Sequence, residues 1–246
     1  FLDLAHLHTR YFQFMTRKPI RRTALALALL APAALGAQVG HLPSDSPFED
    51  VPIRHELTTY SGWYSGAEGS AGVGPQAGPI VGARYAIRIG GPAYFNVHAG
   101  HAFSKRNVID PLNPPSTRHL GTKDVSLLLL DAGITINLTG QKSWHDIIPF
   151  ARFGVGVAAN LGGHNDPANF RIGTPFALVL GTGFRWAPGG RWQLRLDAGD
   201  HLFRLNYPST YGDIPEGGGA PVLEGKNSEW KHNGVFSIGA SYTISR

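Results

Sequence analysis

Residues 80–90 read IVGARYAIRIG, and this stretch decides the fold. Apolar or aromatic side chains occupy every second position, namely Val81, Ala83, Tyr85, Ile87 and Ile89. Small or charged residues lie between them, namely Gly82, Arg84, Ala86 and Arg88. Successive side chains of a β-strand point to opposite faces, so the pattern predicts a strand with one apolar face. A helix would scatter both sets around its circumference.

The same alternation recurs about eight times from residue 55 onward. The segments are 55–66, 80–90, 93–103, 125–138, 147–161, 176–186, 192–201 and 234–244. The phase of the first segment stays open, because either Leu57 and Trp63 or Tyr60 and Tyr64 could form its outer face. The 32 glycines and the 16% of charged residues favour strands joined by turns over helices.

The connections between these segments alternate in length. Short ones at 91–92, 139–146 and 187–191 alternate with long ones at 67–79, 104–123 and 207–230 and a medium one at 161–173. Short turns at one end and long loops at the other are typical of an up-and-down barrel. The sequence therefore predicts an all-β fold, an eight-stranded antiparallel up-and-down β-barrel over residues 55–246.

The N-terminal region has the organisation of an export signal. The basic segment TRKPIRR follows Met15 and precedes TALALALLAPAALGA, an apolar run that ends in small residues. The run is shorter than the roughly 20 residues of a membrane-spanning helix, and Pro32 interrupts it. We expect a signal peptide over 15–37, cleaved after Gly36 or Ala37. A non-native upstream extension over 1–14 would precede it, and a flexible periplasmic lead-in over 38–54 would follow.

Charge and cysteine content exclude several classes of protein. The formal charge of +5 comes mostly from residues 1–37, which hold five basic residues and one acidic residue, so the remainder is nearly neutral at +1. Nucleic-acid binding therefore has no compositional support. The chain has no cysteine, which excludes disulfides and thiolate metal sites and suits a protein exported before it folds.

The apolar strand faces could line a soluble calyx or contact lipid. An eight-stranded barrel is just wide enough for its own side chains, and the alternate face is rich in glycine with a few long charged residues. We therefore expect that face inside and the apolar face against lipid, and a soluble secreted barrel or a β-sandwich is less favoured. Aromatic residues near the short connections predict an interfacial girdle of Tyr94, Trp144, Trp186, Trp192 and Tyr242.

In strand number, loop rhythm and a last strand of alternating apolar and aromatic positions, residues 55–246 resemble small outer-membrane β-barrels of the OmpA transmembrane domain and OmpX type. The resemblance implies a transmembrane barrel in the bacterial outer membrane. It implies outer-membrane lipid, lipopolysaccharide and the outer-membrane assembly machinery as partners. We expect a monomer without cofactor, metal or nucleic acid.

The inner strand faces predict a charge network in the lumen, with Glu56 as a further candidate member. Its residues are Arg84, Arg88, Asp131, Arg152, Arg185, Arg195 and Asp197. Charges in so narrow a space must be paired or hydrated, because an isolated buried charge costs several kcal/mol. Two interpretations stay open. A structural plug of ion pairs is favoured over a narrow, anion-preferring water path.

No catalytic residue is expected. Lipid A-modifying enzymes exist on the architecture that the chain resembles, and His101, Ser104, Asp200 and His201 lie near predicted strand ends, but no motif surrounds them. His98 and His101 are three positions apart in one strand, which sends them to opposite faces and makes them poor metal co-ligands.

Two long connections hold exposed aromatic, proline, glycine and charged residues: DPLNPPSTRHLGTK at 110–123 and YPSTYGDIPEGGGAPVLEGKNSEWKH at 207–232. Binding usually resides in loops on a rigid scaffold. We therefore expect a non-enzymatic barrel with an envelope-structural or adhesion-type surface role. A narrow anion-preferring pore is the alternative, and a lipid A-modifying hydrolase or acyltransferase is less favoured.

Overall fold

The computed structural model describes residues 46–162 and 167–245. The expected upstream extension and signal peptide lie outside these residues. The strands are β1 (Phe48–Asp50), β2 (His55–Ser65), β3 (Gly78–Gly90), β4 (Ala93–Ile109), β5 (His119–Asn137), β6 (Lys142–Trp144), β7 (Ile147–Asn160), β8 (Phe176–Trp186), β9 (Trp192–Asn206) and β10 (Ser228–Ser245). One 3-10 helix spans Ser209–Gly212. Within the described residues, no helix has the length and apolar character needed to cross a membrane.

Eight of these strands form a closed antiparallel ring in the order β2-β3-β4-β5-β7-β8-β9-β10. The last strand returns to pair with the first, from Gly234 opposite Ser65 to Ser245 opposite His55. The predicted eight-stranded up-and-down barrel is thus confirmed. Closure pairs the backbone of every ring strand, which a lipid environment requires.

The hairpin of β4 and β5 is longer than the sequence indicated. Its strands have 17 and 19 residues, whereas about 9–11 cross a bilayer. The connection predicted at 104–123 is therefore wrong, because strand pairing continues to Ile109 and the loop comprises only 110–118. The hairpin extends beyond the apolar region through polar residues such as Lys105 and Lys123. These residues have no apolar face from which a strand could be predicted.

The strand faces alternate as predicted, and the open phase of the first strand is settled. Leu57 and Trp63 face outward, whereas Tyr60 and Tyr64 are buried inside. Each ring strand contributes exposed apolar side chains to a continuous outer belt, for example Leu57, Val81, Phe95, Leu130, Phe153, Leu180, Leu194 and Ile238. Soluble monomers rarely expose so much apolar surface, and a bilayer is the environment that suits it.

Four of the five predicted girdle residues lie on the outer face at the end with the short turns, namely Trp144, Trp186, Trp192 and Tyr242. The prediction is wrong for the fifth residue, Tyr94. It is buried in the lumen, where its hydroxyl donates to the Ile53 carbonyl at 3.0 Å. The reason is strand parity, because Tyr94 shares its face with Asn96 and His98.

The interior has two different halves. Toward the long loops, strand and loop residues form an apolar outer cluster that includes Tyr64, Ile80, Leu127, Leu129, Phe170, Phe203, Tyr207 and Tyr211. The expectation of a small or polar inner face is wrong for this half. The loops supply the reason, because apolar side chains from 168–172 and 207–223 pack against those of the strands and exclude water.

The lead-in covers the other end of the lumen. We expected it to be flexible, but β1 pairs with β6, and Val51 and Ile53 are buried against Tyr94 and Ile148. The Arg54 amide donates to the Ser245 carbonyl at 2.9 Å, which ties the segment to the last strand. Apolar side chains at alternate positions, 51 and 53, give it an inward face.

Candidate functional site

The half of the lumen nearer the short turns contains a charged layer. Its members are Glu56 on β2, Arg84 on β3, Asp131 on β5, Arg152 on β7, Arg185 on β8, and Arg195 and Asp197 on β9. Each occupies an inward position of its strand, so barrel closure brings together residues that are far apart in the sequence. Four guanidinium groups and three carboxylates meet in this layer, with side chains at most 11% exposed.

Glu56 connects two of the arginines. Its Oε2 accepts from Arg185 Nη1 at 2.5 Å, and its Oε1 lies 3.4 Å from Arg195 Nη1. Arg185 also donates to Asn137 Oδ1 at 2.5 Å, and the Thr58 hydroxyl donates to Glu56 Oε1 at 3.1 Å. Charge-assisted hydrogen bonds of this kind are stronger than neutral ones, which fixes the position of each partner.

Asp197 forms the second node. Arg195 donates to it through Nε at 2.8 Å and Nη2 at 3.1 Å, a two-point contact, and Arg84 Nη1 lies 2.9 Å from its Oδ1. The planar guanidinium group matches a carboxylate in this way. Two aromatic rings complete the packing: Arg195 lies 4.1 Å from the centre of the Phe150 ring, and Arg185 lies 5.2 Å from that of Tyr94.

Asp131 forms the third node, and it differs from the others because two histidines contact it. Arg152 Nη1 lies 3.1 Å from its Oδ1. His98 Nδ1 and His201 Nε2 lie 2.6 Å and 3.2 Å from its Oδ2. The Tyr60 hydroxyl in turn lies 2.5 Å from His98 Nε2. At this node, imidazole nitrogens meet a carboxylate of the charged layer.

Arg88 does not take the predicted place in the network. It lies at the end of β3, and its Nη2 donates to the Val51 carbonyl at 3.2 Å. The lead-in therefore supplies the acceptor that we expected a carboxylate to supply. Arg88 therefore helps to attach the lead-in that covers the end of the barrel with the short turns.

The four residues considered for lipid A chemistry do not come together. Ser104 is buried and donates to the Gln76 carbonyl at 2.6 Å, while His201 faces inward to Asp131. Asp200 instead contacts His232, with Oδ2 2.5 Å from Nδ1. His101 lies on the opposite face of β4 from Ser104, and its Nε2 is 2.5 Å from Ser126 Oγ. Strand parity separates neighbours in sequence here, as it separates His98 from His101.

Sequence reasoning found all four arginines of the layer but missed the histidine, tyrosine and asparagine side chains that contact it. His98, Tyr60 and Asn137 were not assigned to the network, although the alternation of faces already placed His98 and Asn137 inward; the phase of the first strand, and with it the side of Tyr60, was open. His201 was placed at the rim, whereas it shares a face with Arg195 and Asp197 on β9. The alternation of strand faces therefore predicts that His201 points inward. Its position near the end of the predicted strand wrongly suggested the rim.

No family model matches the chain, and no curated protein does. Among solved structures it is similar to the outer membrane protein OprG from Pseudomonas aeruginosa, with 11% identity, 82% of this chain and 100% of that chain covered, and a TM-score of 0.48. It is similar to Neisserial surface protein A, with 17% identity, 81% and 98% covered, and a TM-score of 0.42. It is also similar to the outer membrane enzyme PagL, with 12% identity, 77% and 99% covered, and a TM-score of 0.38.

These likenesses concern the fold. The argument for a membrane location rests on the chain's own surface, because a closed ring, an exposed apolar belt and a row of tryptophans at one end occur together in proteins that span a membrane with strands. The described residues form a transmembrane β-barrel of the bacterial outer-membrane type.

Proposed function

We propose that the chain is a non-conducting barrel that presents its long loops at the cell surface for structural or adhesive contacts. One observation carries the proposal: buried side chains occupy the described lumen at three levels. The lead-in covers the end with the short turns, the charged layer follows, and the outer cluster closes the half beneath the loops. Ion pairs that satisfy one another favour a structural plug over a water path.

The loops support the surface role because two of them meet. The Glu216 amide donates to the Leu112 carbonyl at 2.7 Å, and Arg118 Nη2 donates to the Ala220 carbonyl at 3.0 Å. Loops 110–118 and 207–227 thus form one surface on top of the long β4–β5 hairpin. Ile214 on this surface is 73% exposed, an apolar side chain available to a partner.

Conductance measurements in planar bilayers test the closed lumen. The folded barrel should show no discrete channels, and a variant that combines Glu56→Ala with Arg185→Ala and Arg195→Ala should stay silent as well, because the lead-in and the outer cluster still close the lumen on either side of the charged layer. A control with Glu49→Ala, an exposed residue of β1, should stay silent. Discrete channels in the unaltered barrel would contradict the proposal.

Loop replacement tests the surface role. Bacteria that display the barrel should adhere to matrix-coated plates, and replacing residues 112–117 and 213–222 by short Gly-Ser linkers should abolish adherence. The matched control replaces residues 188–190 of the short turn between β8 and β9. Equal adherence of all three strains, at equal surface amounts of folded barrel, would refute a role for the loops.

A second candidate, hydrolysis of an acyl ester in the outer leaflet, rests on one contact. His101 Nε2 and Ser126 Oγ are 2.5 Å apart beside a groove of 630 Å³ that is lined by Trp63, Phe103 and Ser126 among others. A serine hydroxyl next to an imidazole can act as a nucleophile. Expression should release fatty acid from lipid A, Ser126→Ala should abolish the release, and Ser61→Ala, an exposed outer-face serine outside this groove, should retain it. An unchanged lipid A pattern on expression of the unaltered barrel would exclude this activity.

A further inference from the structure

Three ionisable side chains from different strands converge in the middle of the lumen. His98 on β4, Asp131 on β5 and His201 on β9 place one nitrogen or oxygen each within 4.8 Å of the others. Their side chains are at most 2% exposed. Among the residues that the structure describes, this is the one group of three such side chains that meets so closely.

We propose that His98, Asp131 and His201 bind one divalent transition-metal ion of the Zn²⁺ class. Two imidazole nitrogens and one carboxylate oxygen are a ligand set that Zn²⁺ and neighbouring first-row metals accept, with a fourth position for water. Ca²⁺ and Mg²⁺ prefer several oxygen ligands, which this group does not offer. The site therefore discriminates between these two classes of cation.

The surroundings of the ligands support the proposal, because groups outside the triad hold two of its members. The Tyr60 hydroxyl lies 2.5 Å from His98 Nε2, and its ring stacks on the imidazole at a centroid distance of 5.4 Å. Arg152 holds the other oxygen of Asp131 at 3.1 Å. Outer contacts of this kind fix which nitrogen of a histidine faces a metal and orient the ligand.

Binding needs only small movements of the ligand atoms. The 2.6 Å and 3.2 Å separations between the histidine nitrogens and Asp131 Oδ2 correspond to hydrogen bonds, and ligands around a tetrahedral ion lie about 3.3 Å apart. An imidazole that binds a metal through one ring nitrogen carries its proton on the other. On His98 that nitrogen faces Tyr60, and on His201 it is Nδ1, a buried atom without a hydrogen-bond partner.

Charge sets the expected strength of the site. Arg152 contacts Asp131 directly, and the layer as a whole has one more guanidinium than carboxylate groups. A divalent ion therefore enters a region that is already positive, which weakens binding relative to a site with free carboxylates. We expect selection by ligand type, with Zn²⁺ or Co²⁺ retained and Mg²⁺ lost.

Metal content after folding tests the proposal. Because the outer cluster and the lead-in cover the two ends of the lumen, the full chain should be refolded from urea into detergent with Zn²⁺ present and then passed through a desalting column. Elemental analysis should find about one Zn²⁺ per folded chain. The His98→Ala/His201→Ala double variant should retain none, and His101→Ala, on the outer face, should retain the metal.

Two further measurements separate metal binding from a structural role of the triad. Co²⁺ in the unaltered barrel should give the visible absorption of a tetrahedral site, and Tyr60→Phe should weaken Zn²⁺ binding about tenfold. The heat-dependent gel mobility of each variant reports whether it folded. Folded, unaltered barrel that emerges free of Zn²⁺ and shows no Co²⁺ absorption would overturn the proposal, as would equal metal content in the folded double variant.

Discussion

The two halves of the barrel interior are built on opposite principles. In the charged layer, ion pairs and hydrogen bonds fix the direction of each side chain. Guanidinium nitrogens lie 2.5 to 3.4 Å from the oxygens of the three carboxylates. The outer cluster is held by contacts without fixed direction between strand and loop residues. One closed ring can therefore be filled either by its strands alone or by its strands together with its loops. The two halves should therefore respond differently to substitution.

The largest effect is expected for Glu56→Gln in the charged layer. The change removes the negative charge that Arg185 and Arg195 share, and leaving buried charges without their partner costs about 3–5 kcal/mol. Urea unfolding in lipid vesicles, followed by tryptophan fluorescence, measures the loss. Glu49→Gln on the exposed strand β1 is the control and should be neutral. A loss below about 1 kcal/mol for Glu56→Gln would mean that water solvates the layer.

In the outer cluster, Leu129→Ala should cost about 2–4 kcal/mol, because the side chain is wholly buried and its loss leaves a cavity. The adjacent Leu130→Ala is a matched control. Leu130 faces outward and is 40% exposed, so lipid fills the space that it vacates and the loss should be clearly smaller. The same unfolding assay applies. Equal losses for the two leucines would contradict an apolar interior closed by loops.

A smaller effect on stability is expected for a substitution that loosens the lead-in. Tyr94→Phe removes the hydroxyl that donates to the Ile53 carbonyl, a single hydrogen bond worth about 1 kcal/mol. We expect faster hydrogen exchange at residues 51–54 and little change elsewhere. Tyr85→Phe, a tyrosine whose hydroxyl contacts His55, is the control and should leave this segment protected. Global loss of protection would show that Tyr94 supports the whole barrel.

The sequence was sufficient to predict the ring of strands and most residues of the charged layer inside it. Alternation gave the inward position of Arg84 and Asp131, because strand parity follows directly from residue order. It could not give the pairing of Glu56 with Arg185, since that contact joins β2 to β8 and depends on the diameter of the closed barrel. Nor could it show His201 meeting His98, because the contact crosses the lumen.

The outer cluster was missed for a different physical reason. Leu127 and Leu129 stand in a run of four leucines, which reads as apolar on both faces and conceals an inward apolar surface. Phe170 and Tyr211 lie in connections, where periodicity carries no information about burial. Only the folded loops show that these aromatic side chains face the strands.

The smallest effect is expected where a loop is attached above the outer cluster. Glu229 accepts hydrogen bonds from the Ser70 amide and hydroxyl at 2.5 and 2.8 Å and from the Tyr207 hydroxyl at 2.6 Å. Burial and this carboxylate raise the pKa of Tyr207, so the phenol stays a donor throughout the neutral range. Glu229→Gln should weaken the attachment by about 1 kcal/mol, because the amide accepts less strongly and the site is partly open to water.

Faster hydrogen exchange confined to residues 67–74 measures this loosening, and Glu224→Gln in the neighbouring loop is the control that should change nothing there. The result also bears on how the two halves of the interior depend on the loops. If the loop between β2 and β3 loosens while the protection of Leu127 and Leu129 is unchanged, the outer cluster is stable without this attachment and depends on loops 167–173 and 207–223. If protection of both leucines falls as well, the apolar half folds only with all of its loops in place. The charged layer is built from strand residues and should keep its protection against hydrogen exchange in either case.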